Sequence, residues 1–358
     1  MHPVRPPQKH SWNPLANERG IALILTLLVV ALLTVLIIEF DFRTRIDLRQ
    51  TGNFRDDTQA YLLADSAVQA TRALMVNTLG ETNYYTPSVI NDELLGFGQA
   101  GDNTIKLAFP GDQGQISVTL GDEDGKLDLN SLADTGESKE SEKARQDVYY
   151  RLLEILEVEE PDVLMDSLID WIDADPEELG YGAEGAYYLS LDPPYNVRND
   201  KLRTFGELRL VRGYNAEILA LLEPHVTAVW EGEKATKKTV GGSKYKININ
   251  TASVELLRAM HEDISENLAQ NIAEARPYEK VTAAELERQA LLLGTEIPQK
   301  ISPLLRVDSE HFLLYAEGLV GVADSLDSVR RTVRATLRYN RTASTPKEKV
   351  RVTSWRVE

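Results

Sequence analysis

At 358 residues the chain is long enough for more than one domain, and a hydrophobic content of 42% supports packed cores rather than disorder. A formal net charge of -17 repels duplex nucleic acid, which is bound through Lys and Arg, and suits soluble exposure or bound cations such as calcium. The absence of cysteine excludes disulfides, thiolate metal sites and a cysteine nucleophile, but leaves an extracytoplasmic location open.

The first element is apolar. Residues 17–38 read NERGIALILTLLVVALLTVLII, and between Ile21 and Ile38 only Thr26 and Thr34 are polar. A helix of that length is roughly 27 Å long, close to the roughly 30 Å of a bilayer's hydrocarbon core. Arg5, Lys9 and Arg19 precede it against Glu18, which places the N-terminus in the cytoplasm. The run ends in EFDFRTR, with no small-residue cleavage site, so an ordinary secretion signal is excluded. An uncleaved anchor and a segment cut at the start of its apolar run both remain.

The helical pattern continues past the membrane length. From Phe40 to Leu79 there is no proline and one glycine, Gly52, and apolar residues recur as Phe42, Ile46, Tyr61, Ala64, Val68 and Leu74. One helix spanning 21–79 therefore starts in the bilayer and ends packed on a soluble domain, an arrangement suited to assembly. After a turn-rich stretch, TIKLAF (104–109) and QISVTL (115–120), separated by PGDQG, form a hairpin. Three further strand-like runs, 311–322, 330–340 and 350–357, close the chain, and the intervening residues are mainly helical. The fold class is α+β: an antiparallel sheet domain made of 80–130 plus 307–358, interrupted by a large helical insertion. The insertion divides into 131–230, a linker at 231–246, and 247–306.

The N-terminal stretch resembles the type IV pilin and pseudopilin families, in which a prepilin peptidase cuts after a glycine just before the apolar helix. The resemblance places the cut between Gly20 and Ile21, with 1–20 as the leader. Pilins usually carry Glu at the fifth mature position, where this chain has Leu25. The member that typically lacks this Glu is the protein K family of type II secretion, a minor pseudopilin at the pseudopilus tip. Loss of the carboxylate fits a tip subunit, which has no subunit ahead of it to pair the charge in lipid. DSLIDWIDADPEELGYGAEGAYYLSLDPPYNVRNDKLRTFGELRLVRG (166–213) and KININTASVELLRAM (246–260) are also similar to that family.

The resemblance implies a pilin-like domain with SAM-like helical domains and no enzymatic activity. Its implied partners are the I- and J-type minor pseudopilins, the major pseudopilin, the inner-membrane assembly platform and prepilin peptidase, and not nucleic acid. The implied location is a single pass in the inner membrane with the bulk periplasmic, from which the chain is extracted into the pseudopilus. Leu25, Phe42 and Ile46 are candidate helix-assembly positions.

Asp170, Asp173 and Asp175 stand in D-x-x-D-x-D, followed by Glu178 and Glu184 in a glycine-rich loop. Calcium takes six to eight oxygen ligands, which flexible acidic loops supply. The family's helical domain binds calcium, and these five residues are the candidate ligands, with Asp192, Asn199 and Asp200 as further donors. A solvated acidic loop with helix-capping aspartates is the alternative.

Other motifs fall short. GDEDGKLDLN (121–130) mimics half an EF-hand, but the positions for its two end ligands hold Leu120 and Ser131; a turn at Asp124-Gly125 is the better reading. The same stretch is one residue short of a P-loop. GFGQAG (96–101) follows no predicted strand and opens no helix, so it lacks the context of a dinucleotide site. KININTASVELLRAM also resembles competence-type helix-hairpin-helix DNA-binding domains, with Asn250 or Thr251 as the helix cap. Their glycine-rich hairpin is here HEDISENLA (261–269), whose acids repel phosphate. The five histidines are scattered, and no nucleophile motif is present.

Overall fold

The computed structural model describes residues 18–81, 84–87, 99–101, 104–108, 114–133, 135–229, 245–290, 296–321 and 328–358. Leader residues 1–17, linker residues 231–244 and residues 96–98 of the GFGQAG motif lie outside the described residues. The chain divides into two units, 1–58 and 59–358.

In the first unit the described residues are helical, the beginning of α1 (Glu18–Thr78). No proline interrupts α1, and its apolar part is long enough to cross a membrane. The Thr26 hydroxyl donates to the Leu23 carbonyl and Thr34 to Val30, each at 2.8 Å. Both polar side chains are thus satisfied within the helix, as a hydrocarbon surround requires.

The second unit contains a six-stranded antiparallel sheet in the order β1-β2-β3-β8-β9-β10. Its strands are β1 (Gln99–Gly101), β2 (Thr104–Ala108), β3 (Gln115–Asp122), β8 (His311–Val320), β9 (Val329–Tyr339) and β10 (Val350–Val357). The expected hairpin is β2–β3, with Thr104 opposite Thr119. Strict alternation puts Phe312, Leu314 and Ala316 of β8, and Val333, Ala335 and Leu337 of β9, on one buried face. The last turns of α1 cover that face with Ala64, Ala67, Val68 and Met75. Small residues on the helix let it lie close. A Cβ on Gly318 would overlap the Ala60 carbonyl and the Ala64 backbone nitrogen.

The helical insertion leaves the sheet at the end of β3 and returns at the start of β8, two strands that pair directly, with Asp122 opposite Phe312. It contains α2 (Lys139–Ile155), α3 (Pro161–Ile172), α4 (Gly185–Leu189), α5 (Ala216–Leu222), α6 (Val254–Ala259), α7 (Glu266–Glu274), α8 (Ala283–Gln289) and α9 (Ile297–Ile301). Two short parallel pairs tie it together: β4 (Leu127–Asp128) with β5 (Val226–Thr227), and β6 (Ile247–Asn248) with β7 (Leu305–Arg306). The two halves on either side of the linker share one core, which runs from Leu127 through Trp171 and Tyr188 to Tyr278 and Leu305. Arg151 of α2 also donates to the Ala259 and Met260 carbonyls at the end of α6.

The Gly318 contact is testable. Gly318→Ala places a methyl against helix backbone that cannot yield, so it should cost about 1–3 kcal/mol, as overpacking does. Thermal unfolding of the full chain in detergent should show a lower midpoint; an unchanged midpoint would refute the close approach.

Candidate functional site

The acidic loop begins where α3 ends. Spacing in α3 sends Leu164, Leu168 and Trp171 into the core, and the same turns carry Asp166 and Asp170, one above the other at i and i+4. Asp170 is fully buried; Asp173 caps the helix at its C-terminal end and is also buried. The chain then loops back, so the Leu179 N–H meets Asp170 Oδ1 at 3.2 Å and the Tyr181 N–H meets Asp166 Oδ2 at 3.0 Å. Asp175 and Glu178 are exposed on this loop. Glu184, buried, caps α4 with Oε2 accepting from the Gly185 N–H at 3.2 Å. Asn199, in the left-handed backbone region, closes the loop from the other side by donating to the Asp175 carbonyl at 3.1 Å.

Asp170, Asp173, Asp175, Glu178 and Glu184 thus follow one another along one loop region, which Asn199 closes. Burial pushes the Asp170 carboxyl up to about 6, with the charges of Glu184 and Asp166 adding to the rise. Glu184 is raised by burial and then by Asp175 and Glu178. Two acceptor atoms, Glu184 Oε1 and Asn199 Oδ1, are buried with no hydrogen-bond donor. A Cβ at Gly182 would overlap Asp170 Oδ2, so the backbone crowds the carboxylates here. Carboxylates and orphaned oxygen acceptors are the donor types a hard divalent cation takes, but these carboxylates do not converge on one point: among the described residues, three metal-ligating side chains bring their ligand atoms within 4.8 Å of one another at His261, Glu262 and Asp263 instead.

Asp166 was not among the candidates, though its i,i+4 relation to Asp170 on an apolar-periodic helix is a readable signal. Of the further donors, Asp200 accepts from the Lys201 N–H at 2.8 Å, and Asp192 is exposed in the bend just after α4. Trp171 and Tyr188 are core residues in edge-to-face contact, their ring centroids 5.1 Å apart.

A second polar cluster occupies the junction of sheet and insertion, built from the stretch that failed as an EF-hand. The turn at Asp124-Gly125 forms as expected. Asp122 Oδ2 accepts from Ser309 Oγ at 2.6 Å, from Asn248 Nδ2 at 3.0 Å and from Thr251 Oγ1. Asp124 Oδ2 accepts from the backbone N–H groups of Glu310 and His311, and its Oδ1 lies 3.0 Å from His311 Nδ1. Lys126, the would-be phosphate lysine, pairs with Glu123 at 2.9 Å.

Burial, and then the charge of Asp124, raise the Asp122 carboxyl well above the carboxylate range against those three donors. Burial also works against the Asp124 charge, but His311, Arg306 and the Glu310 N–H outweigh it and hold Asp124 well below that range. The two act oppositely on stability. The contribution of Asp124 is present above its unfolded pKa of about 3.9 and is lost as pH falls toward its folded value. That of Asp122 is present below about 3.9 and is lost as pH rises through its raised value.

One expected cap is corrected. Helix α6 is capped by Ser253, whose side chain accepts from the Leu256 N–H, and not by Asn250 or Thr251. Asn250 instead clamps Tyr278, accepting from its N–H at 2.7 Å and donating to its carbonyl at 2.9 Å, and Thr251 serves Asp122. In the turn between α6 and α7, Glu262 and Asp263 are exposed where a helix-hairpin-helix domain would meet phosphate. On α1, Ile21, Leu25, Phe42 and Ile46 are all exposed.

Comparison with known proteins places these features. The family description "Type II secretion system (T2SS), protein K" matches residues 125–231 and again residues 247–308. The type II secretion system protein K of Aeromonas hydrophila is 31% identical over 311 residues, covering 83% of this chain and 87% of the relative. The chain belongs to the type II secretion system protein K family. The protein K of Pseudomonas aeruginosa is likewise 31% identical, over 74% of each chain. Among solved structures, a chain of the GspK-GspI-GspJ complex from the enterotoxigenic Escherichia coli type 2 secretion system has the same fold. Its TM-score is 0.64 at 23% identity, covering 86% of this chain and 99% of that one. The expected fold class, a long apolar N-terminal helix with an antiparallel sheet and helices, is that of this family. The apolar start of α1 agrees with an inner-membrane-anchored member.

Proposed function

We propose that this member of the protein K family is a minor pseudopilin that initiates or caps a pseudopilus and supports protein secretion, with an assembly role rather than a catalytic one. The carrying observation is α1: a single helix that begins as an apolar membrane-length segment and ends as one layer of a sheet core. Beyond the apolar segment it exposes Phe42, Ile46, Leu48 and Phe54, a surface that partner helices can cover. The solved relative was determined in complex with GspI and GspJ, which supports I- and J-type minor pseudopilins as partners. The major pseudopilin and the inner-membrane platform follow from the same role. The N-terminus would be cytoplasmic and the bulk periplasmic.

Gly20 supports processing by prepilin peptidase. It sits in α1 with open space where a Cβ would be, so packing does not require glycine there. A helical glycine costs about 1 kcal/mol relative to alanine. A cut between Gly20 and Ile21 gives the residue a purpose. Mass spectrometry of the chain from cells with active prepilin peptidase should find Ile21 at the N-terminus; an intact Met1 contradicts the reading.

Calcium is proposed for the acidic loop, held by Asp170, Asp173, Asp175, Glu178 and Glu184 with Asn199 Oδ1. A bound calcium supplies positive charge and oxygen coordination. The chain's part is to hold the carboxylates together against their repulsion and to keep water from the buried oxygens. A cation that binds only the folded chain, at 100 times its Kd, adds about 2.7 kcal/mol. For a chain of this size the unfolding midpoint should rise by roughly 4 °C. Asp170→Asn and Glu184→Gln should abolish the rise. A wild-type midpoint that calcium does not move would refute the site.

A further inference from the structure

Charge is segregated along this chain. Residues 329–358 hold nine Lys and Arg against two Glu, a net +7, so the remainder carries -24 to give the total of -17. Four of these cations share one surface. Arg338 lies directly opposite Arg351, and Arg334 directly opposite Arg356, across the β9–β10 pairing. Their neighbours Val333, Ala335, Leu337 and Tyr339 alternate with them and are buried, which puts these arginines on the sheet face away from α1.

Like charges placed directly opposite on adjacent strands destabilise a sheet. The fold offsets part of this. Arg338 is 3.7 Å from Glu310, Arg356 is 3.4 Å from Glu358, and the Arg334 guanidinium lies 5.4 Å from the centroid of the Tyr315 ring. Side-chain exposure nonetheless remains high, 41% at Arg338 and 75% at Arg356. Protection of a sheet edge explains cations on β10, the terminal strand of the sheet, which also carries a bulge between Val352 and Ser354. It does not explain Arg334 and Arg338, because β9 is paired on both sides.

We propose that this arginine face docks an acidic face of a neighbouring pseudopilus subunit. The inference rests on the assembly role proposed above and adds the surface and its chemistry. Two cross-strand arginine pairs, set four residues apart along β9 on strands about 4.8 Å apart, match carboxylates projected from a strand or from one side of a helix. Each can be held by two parallel N–H···O bonds. An extended anionic partner, such as a membrane or a duplex, would meet the -24 of the rest of the chain. A subunit contact is local, and beyond a Debye length of about 8 Å that repulsion is screened.

The test measures binding of the full chain, in detergent, to the co-purified I- and J-type subunits as a function of salt. Arg351→Glu with Arg356→Glu should weaken the complex at least about tenfold and flatten its salt dependence. Lys347→Glu with Lys349→Glu makes the same change in net charge on the neighbouring short helix (Pro346–Lys349), and should stay within about twofold of wild type. Circular dichroism and the melting midpoint check folding, and Arg351→Gln with Arg356→Gln replaces the reversal if that variant fails to fold. A wild-type complex that tolerates the face variant, or is weakened equally by the lysine control, overturns this inference while leaving the assembly role standing. Absence of any wild-type complex overturns both. Arginine-dependent binding to phosphatidylglycerol vesicles, with subunit binding unaffected, would assign the face to lipid and overturn the proposal.

Discussion

Two aspartates two residues apart tie the sheet of the second unit to its helical insertion. Asp122 ends β3, and Asp124 lies in the turn after it, so both stand where the helical insertion departs from the sheet. Asp122 receives donors from Asn248, Thr251 and Ser309, and Asp124 receives the N–H groups of Glu310 and His311. Residues from the start of the chain's second helical half and from the return into β8 are thereby fixed on one short turn. The cost is a pair of buried carboxylates that oppose each other's ionisation. It is offset by His311 and Arg306 on one side and by neutral donors on the other. Replacing any of these donors would leave a buried carboxylate with one hydrogen bond fewer.

This junction lets one chain carry two cores with separate tasks. The smaller core, between the end of α1 and the sheet, anchors a helix whose other end has membrane character. The larger core, in the insertion, holds the acidic loop on a rigid base: α3 is pinned by Trp171 and Leu168, so Asp166 and Asp170 face the loop from fixed positions. A loop of like charges needs such a base, since its own electrostatics favour opening.

Much of this is legible in the sequence because it rests on local periodicity. Uninterrupted helical spacing from Ile21 to Leu79 and the alternation of 311–320 and 329–339 depend only on neighbours along the chain. The acidic candidates were likewise close in sequence. What escaped required long-range contact. Nothing near GDEDG shows that Asp122 will meet Thr251 and Ser309, 129 and 187 positions away. For the same reason Asn250 and Thr251 read as helix caps, when tertiary partners had claimed their side chains and Ser253 was left to cap. The shared core of the two helical halves is equally invisible, because Arg151 and the Ala259 carbonyl lie 108 positions apart.

Hydrogen exchange of the full chain, wild type against Asp124→Asn, tests the junction most directly. In the wild type the Glu310 and His311 amides should exchange as slowly as the sheet. In the variant, peptides covering 245–250 and 306–311 should exchange on the order of a hundredfold faster, from the loss of about 3 kcal/mol at a buried charge, while β9 is unchanged. Equal exchange in the two proteins would contradict it.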